Sequence, residues 1–541
     1  MRYLKRLQVG ALCLALGAAA CADLNVSNPN APDAARAIQS AGDVENLISG
    51  GYNTWFNGVY SYYGPGLLLS NQAFQHTAPW ANGGMEFYGR LPREAIVNDA
   101  ADTNYGNLVR PWYYSYRAIA GVSDGLKAIA KPEIADKIAA ADITRDKAFG
   151  YFVLGLAHAT IALLYDQGFV VDETVDISTA QDPKKYTDIM TAAMGYFDKA
   201  LALTNGASFT IPTTWVPTDA ELTAAQFAQV IHSMKARYMV EVARTPTERG
   251  AVNWANVITE VNAGIKSSFI ENMDANNGWY YEANDYGTSP GWSEATYFIW
   301  GMADQSGNYQ LWLNTPLTNR QAIIGGKDIL IVTPDLRFPQ GSTVADQTAD
   351  KGKYLVIPTD DEYGTTPAGV WARPDRGSWR WSYYYYVRRF DYNTWSDFHM
   401  EEIPISEMNM LKAEGLYRQG DKAGAATLVN TSRVGIGGLN ATDASGTNTS
   451  CVPKLPTGSC GDLMEMIKWE KRVEGAFQGL VITPWFFDGR GWGDLYKGTP
   501  LQLPAPCKEL QVLQMLPCYT FGGSTYPSAA AASTYKWPGE V

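Results

Sequence analysis

Histidine and cysteine are scarce, with four His and six Cys in 541 residues. His76, His158, His232 and His399 are widely scattered, so there is no H-E-x-x-H pair and no clear imidazole set for a metal. Charge is thin as well, at 18% of residues, and unbalanced: 43 Lys and Arg stand against 55 Asp and Glu, a net −12. No long basic run offsets this acidity. The clustered cations that grip phosphate backbones are therefore missing, which argues against nucleic-acid binding. Beyond the N-terminus no apolar stretch reads as membrane-spanning. What the chain does have is 46% apolar residues, enough surface to bury, and a length that fits two to four domain-sized units or one large elaborated fold.

The first residues read as a targeting signal. Arg2, Lys5 and Arg6 precede a short apolar run, Val9 to Ala20, that ends in three alanines before Cys21. A basic start, a short hydrophobic centre and small residues before a cut describe a secretory signal peptide over residues 1–20. A Cys directly after them matches a bacterial lipobox, with Ala18 where Leu is usual. Cys21 then becomes the lipidated N-terminus, followed by a polar, turn-rich tether to about residue 32. The mature protein is expected to be anchored to a membrane, not threaded through it.

Cysteine placement agrees with export. Cys451, Cys460, Cys507 and Cys518 fall in two short-range pairs within C-terminal loops rich in Gly, Pro and Ser. Four cysteines allow three connectivities. Cys451–Cys460 and Cys507–Cys518 close the shortest loops and are the expected disulfides; the spacings are not C-x-x-C and no His lies nearby, which disfavours zinc.

Helical periodicity dominates two stretches. Phe149, Phe152, Val153, Leu156, Leu163 and Leu164 make one stripe, and Ile189, Ala193, Phe197 and Leu201 another. Phe227 to Val242, Trp254 to Ile265 and Ile405 to Val429 repeat the pattern. Such helices joined by short turns read as stacked helical hairpins, here of degenerate sequence. The scaffold is expected over about 107–265 and 402–480. Between about 270 and 400 the pattern gives way to Gly, Asn, Asp, Pro and aromatics. Runs such as Ile329 to Val332 and Tyr354 to Ile357 are short and strand-like. Loops this long inside a compact protein are usually functional.

Catalytic motifs do not emerge. Gly121-Val122-Ser123-Asp124-Gly125 fits G-x-S-x-G, but the Ser needs a strand before it and a helix after it, whereas this stretch reads as one helix. Gly489 to Gly493 is a glycine turn without the spacing of a phosphate cradle. Asp360-Asp361-Glu362 lacks the spaced oxygens of a calcium loop. No metal site and no cofactor is implied. A carboxylate pair for sugar hydrolysis stays open, because spacing in space is invisible here.

Aromatic residues supply the positive signal. Trp279, Tyr280, Tyr281, Tyr286, Trp292, Trp371, Trp379, Trp381 and Tyr383 to Tyr386 lie in polar, Gly-rich sequence. Sugar rings stack their C–H faces on such planes, and rigid aromatics also anchor protein interfaces. The ligand-binding candidates are Trp279, Tyr281, Trp292, Trp371, Trp379 and Trp381.

Three segments carry a family resemblance. DLNVSNPNAPD follows the lipid Cys; EIPISEMNMLKAEGLYRQGDKAGAATLVNTSR spans 402–433; WEKRVEGAFQG and FFDGRGWGDLYKGTPLQLPAPCKEL lie within 469–510. Together they resemble the SusD/RagB family of outer-membrane nutrient-uptake lipoproteins, with Gly475 where a Leu is usual. The resemblance covers essentially all of 33–541. It implies a mostly α, SusD-like fold on four tetratricopeptide-like helix pairs, with a loop-rich, aromatic-rich ligand-facing region. It implies no enzyme activity, but a surface lipoprotein that binds oligosaccharides, or peptides in some members, as the lid of a SusC-like TonB-dependent transporter barrel. Asp488, Arg490, Trp492 and Glu509 look structural, with Asp488 and Arg490 paired in the glycine turn. The rival from another class is an exported glycan hydrolase, which needs an acid pair in a cleft at the aromatic surface.

Anchoring gives a direct test. Cys21→Ser should move the protein from the membrane fraction to the soluble one. Retention in the membrane fraction, with the leader shown to be removed, would refute the lipid assignment.

Overall fold

The computed structural model describes residues 40–78, 82–288, 293–357, 382–388, 399–479 and 483–540. Cys21 and its tether fall outside them, as do Trp292, Trp371, Trp379, Trp381 and the acidic triplet at 360–362.

Helix α1 (Ala41–Val59) opens on a capping box. The Ser40 hydroxyl accepts from the Asp43 N–H at 3.2 Å, and the Asp43 carboxylate accepts from the Ser40 N–H at 2.9 Å, satisfying two donors that a helix start leaves orphaned. After the short α2 (Gly66–Gln72), α3 (Tyr105–Ile129) lies along α1. Glycine permits their close approach. A Cβ on Gly51 would stand 2.4 Å from Val122, and one on Gly125 would stand 2.6 Å from Ile48. The G-x-S-x-G match lies inside α3, as its helical reading requires.

Helices α4 (Ala140–Leu164), α5 (Tyr186–Thr204), α6 (Ala224–Glu241) and α7 (Trp254–Ala263) follow, where the apolar stripes place them. From Ala148 to Leu164, every residue of α4 but Tyr151 is buried, the mark of an interior helix. By length and composition it could cross a membrane, which corrects the expectation that no such stretch follows the leader. Here α1, α3, α5 and α6 cover it. The chain continues through α8 (Glu282–Thr288), α9 (Ile405–Arg418), α10 (Lys422–Arg433), α11 (Leu463–Gly475), α12 (Asp488–Trp492) and α13 (Cys507–Val512). The pairs α1/α3, α4/α5, α6/α7 and α9/α10 stack in that order, and α11 packs on the last of them. The scaffold therefore starts with α1, ahead of the expected bound near 107.

Strands are short. β1 (Phe269–Asn272), β2 (Leu355–Val356), β3 (Tyr385–Tyr386) and β4 (His399–Ile403) make two antiparallel pairs, β1 with β4 and β2 with β3. The run at 329–332 is buried but is not a strand. Side chains take two of its donors: the Ile331 N–H goes to the Tyr384 hydroxyl at 2.7 Å and the Val332 N–H to Asp304 at 3.0 Å, while the Ile329 N–H donates to the Ala322 carbonyl at 2.7 Å. Both expected disulfides are present, Cys451–Cys460 and Cys507–Cys518.

Buried ion pairs tie the helices together. Arg237 on α6 forks onto Glu407 on α9 at 2.8 and 2.6 Å. Arg249 forks onto Glu414 at 3.0 and 2.5 Å and meets Asp488 at 2.6 Å, and Lys471 reaches the same Asp488 at 2.5 Å. Arg337 joins Asp335, Glu470 and Glu474, while Lys468 and Arg472 hold Asp494. Asp488 thus pairs with Arg249 and Lys471, not with Arg490 as expected. Arg490 instead donates to the carbonyls of Leu163, Glu241 and Leu501 at 2.9, 3.0 and 2.7 Å.

A second cluster is tyrosine-rich. Glu271 on β1 accepts from the Tyr52 and Tyr281 hydroxyls at 2.5 and 2.6 Å, and Glu402 on β4 accepts from Tyr60 at 2.5 Å. The Tyr281 hydroxyl also lies 3.4 Å from Glu402. Burial, then the neighbouring Glu402 charge, pushes the Glu271 carboxyl up; burial does the same to Glu402, against the pull of Arg237. Glu414 behaves oppositely. Burial works to raise it, but Arg249 outweighs burial and holds it at about 2.

These shifts give stability a dome in pH. Raised carboxyls keep their protons in the folded state, so their contribution is complete below the ordinary carboxylate value and is lost as pH climbs through the folded one. Glu414 contributes above the ordinary value and loses its contribution as pH falls toward about 2. The melting temperature should therefore decline from about pH 5 to about pH 8, with a shallower decline in Glu271→Gln, whose amide mimics the neutral acid. Superimposable profiles would clear the Glu271–Glu402 pair as the source. Separately, Arg249→Met removes the cation shared by two buried carboxylates, leaving Glu414 to Arg418 and Asp488 to Lys471, and should cost about 3–5 kcal/mol; parental stability in denaturant would show that the fork is not a support.

Candidate ligand-binding surface

Residues 276–288 place their rings on two opposite sides. Trp279 is 5% exposed and Tyr281 1% exposed, while Tyr280 between them is partly open. Trp279 packs on Tyr52 and Phe56, with ring centroids at 5.7 and 5.1 Å; Tyr281 packs on Phe56 and Tyr60 at 4.8 and 4.5 Å. Alternation along an extended stretch sends every second side chain inward. The two candidates that lie within the described residues are thus core rings, not stacking platforms. Tyr383 to Tyr386 are buried too, their hydroxyls turned to Asp328, Gln347 and Glu294 in the case of the first three.

Beside this segment, the more open rings are those of Tyr62, Tyr63, Tyr280 and Tyr286. Tyr63 is 49% exposed and meets Tyr62 edge-on at 4.9 Å; Tyr62 meets Tyr286 at 4.8 Å. Their backbone is firmly held. The Glu282 carboxylate accepts from the Tyr62 N–H at 2.6 Å and the Ser61 hydroxyl at 3.2 Å, and the Ala283 N–H donates to the Tyr60 carbonyl at 2.8 Å. Asn107 on α3 donates to the Gly64 carbonyl at 2.9 Å. From α1, Asn53 and Asn57 donate to the Gly278 carbonyl at 3.2 and 3.1 Å, fixing the start of the aromatic loop. The Tyr280 hydroxyl donates to Asp285 at 2.5 Å. Burial, more than the neighbouring Tyr63, pushes the Tyr62 phenol up to about 12, so it stays a neutral donor near neutrality. Half-open rings on a fixed backbone, rimmed by Glu282 and Asp285, can stack on a flat C–H face and accept from hydroxyls beside it.

Tyr62 and Tyr63 are absent from the sequence candidates. Their signal is the one that singled out 276–292: paired aromatics in a Ser-Tyr-Tyr-Gly-Pro-Gly loop.

Other chemistry finds little footing. Among the described residues no group of three or more His, Cys, Asp and Glu could hold a metal. His76 is enclosed between the Ser70 and Ser293 hydroxyls at 2.7 and 2.6 Å, and burial pushes it down to about 3. His158 bonds within α4, and His232 meets Glu260 at 2.6 Å. Glu271 and Glu402 are close acids, but they are 0% and 1% exposed. A sugar cannot reach them.

No protein-family model matches the chain, and no curated protein matches it. Solved structures do. A SusD superfamily protein from Bacteroides fragilis shares 15% identity over 89% of this chain and 99% of its own, with a TM-score of 0.53. A SusD-like protein from the same organism shares 13% over 91% and 98%, at 0.52. A laminarin-binding SusD-like protein shares 13% over 90% and 100%, at 0.51. The stacked helix pairs and the short strands beside them are the SusD-like fold.

Proposed function

We propose that this chain is a glycan-binding member of the SusD/RagB family, held at the outer membrane through lipid on Cys21. In this reading it is the lid of a SusC-like TonB-dependent transporter barrel and takes part in oligosaccharide uptake. The observation that carries the ligand class is the Tyr62–Tyr63–Tyr286 group: open rings in mutual contact, bordered by carboxylates, on a backbone fixed from α1, α3 and α8. The SusD-like fold supports the family, and one structural neighbour is a laminarin-binding protein. The leader and Cys21 support the location. Binding without chemistry is the reading for the surface; the Glu271–Glu402 pair is sealed in the core, and a glycosidase needs its acids at the bond. Peptides are the alternative ligand.

Titrating the mature chain with neutral and acidic oligosaccharides, and with short peptides, tests this directly. Tyr63→Ala and Tyr286→Ala should leave melting nearly unchanged and weaken the bound glycan by about thirty-fold at a hot spot worth about 2 kcal/mol. Trp279→Ala should instead cost about 3–5 kcal/mol of stability, as a core ring does. The reading falls if no glycan binds, if only peptides bind, or if the double tyrosine variant binds like the parent.

A further inference from the structure

A cleft of about 460 Å³ lies between residues 87–99 and the chain that leaves the second disulfide. Its size is within the range of about 300–1,000 Å³ usual for small-ligand sites. We infer that it is a second saccharide subsite, selective for neutral sugars. This rests on the glycan reading of the tyrosine group and extends it.

The walls are preformed. Cys507–Cys518 closes the turn that delivers Tyr519 and Thr520. The Ile96 N–H donates to the Phe521 carbonyl at 3.0 Å. Asn98 donates to the carbonyls of Ala505 and Tyr519 at 3.0 and 2.9 Å and accepts from the Cys507 N–H at 2.8 Å. A site so fastened loses little freedom on binding.

Its polar side chains divide into committed and uncommitted. Asn98 is fully engaged, the Tyr519 hydroxyl is taken up by Asp166, and Thr520 donates to the Ile96 carbonyl. Three acceptors are left. Among the described residues Glu94 has Arg90 as its one ion-pair partner, at 3.5 Å, and its side chain is 48% exposed. Asp99 accepts from the Ala101 N–H through one oxygen, leaving the other. Tyr526, 48% exposed, has no hydrogen-bond partner among the described residues. Phe87 adds a second ring. Arg90 is engaged by the forked contact with Glu86 at 2.9 and 2.7 Å.

Rings and carboxylates in one cleft call for a ligand with an apolar face and many donors. A pyranose has both: its C–H face covers Tyr526 or Phe87, and its hydroxyls donate to Glu94 and Asp99. A uronic or sulfated sugar would set its anion against the two carboxylates. Solvation of Glu94 and Asp99 also suits binding over catalysis, because a general acid works from a desolvated site. Along the chain Phe87 follows closely on Gly83, where an added Cβ would stand 3.5 Å from the Tyr62 carbonyl oxygen.

The test is calorimetric titration of the mature chain with laminarihexaose, cellohexaose, mannohexaose, xylohexaose and hexagalacturonate. Tyr526→Ala should weaken the bound neutral hexamer about ten-fold or more, equivalent to about 1.4 kcal/mol, with melting unchanged. Glu94→Gln combined with Asp99→Asn should narrow the preference for neutral over acidic hexamers. If both cleft variants match the parent while Tyr63→Ala loses affinity, the cleft proposal is overturned and the tyrosine reading stands. If Tyr526→Ala loses affinity and Tyr63→Ala does not, the cleft stands alone. No binding by the parent overturns both.

Discussion

Arg249, with no exposed surface, holds both oxygens of Glu414 and a further oxygen of Asp488. Through that one guanidinium the segment after α6 is fastened to α9 and α12, and Lys471 adds α11. A fully paired buried set contributes little net stability compared with apolar packing, but any slip of one helix strands a charge. Apolar stripes tolerate sliding; a bidentate fork does not. The Arg237–Glu407 and Arg337–Glu470 contacts repeat the device along the same stack. Trp492 completes it by lying 4.9 Å from Arg249 and donating its indole N–H to Glu414.

That stack decides where the surface tyrosines stand. Arg237 reaches the Glu402 carbonyl at 2.9 Å, which seats β4, and β4 pairs with β1. Glu271 and Glu402 then receive the hydroxyls of Tyr52, Tyr60 and Tyr281, so α1 and the aromatic loop meet over two acids. Only then does the loop turn outward into α8, where Glu282 catches the Tyr62 N–H. Each step hands a position to the next, from helix register to strand pair to loop to ring.

Much of the frame was legible from periodicity. Stripes at 189–201, 227–242 and 254–265 read as helices from their apolar spacing, while 149–164 is a helix apolar on nearly every side. α1 escaped because Gly50, Gly51, Asn53, Asn57 and Gly58 dilute its stripe; Gly51 and Gly58 make room for α3 and the asparagines reach Gly278. Composition located an aromatic surface but not its parity. In Trp279-Tyr280-Tyr281 the larger ring and the third residue face the core, and nothing in that triplet alone decides which alternate set is inside. The 329–332 run misled for a similar reason, since the hydroxyl and carboxylate that claim its N–H groups come from Tyr384 and Asp304, both distant in sequence from part of it or from each other. The Asp488 partner was hidden likewise: its cation lies on another element.

The division of Trp279, Tyr280 and Tyr281 between two faces has an evolutionary consequence. Adjacent codons answer to different demands, one set to core packing and the other to whatever lies outside. A change at Tyr280 or Tyr286 alters the outer face while Trp279 and Tyr281 keep α1 and β1 in place. The outer face can therefore drift by single substitutions without passing through an unfolded intermediate. The shape stays recognisable beside two solved structures at 13–15% identity.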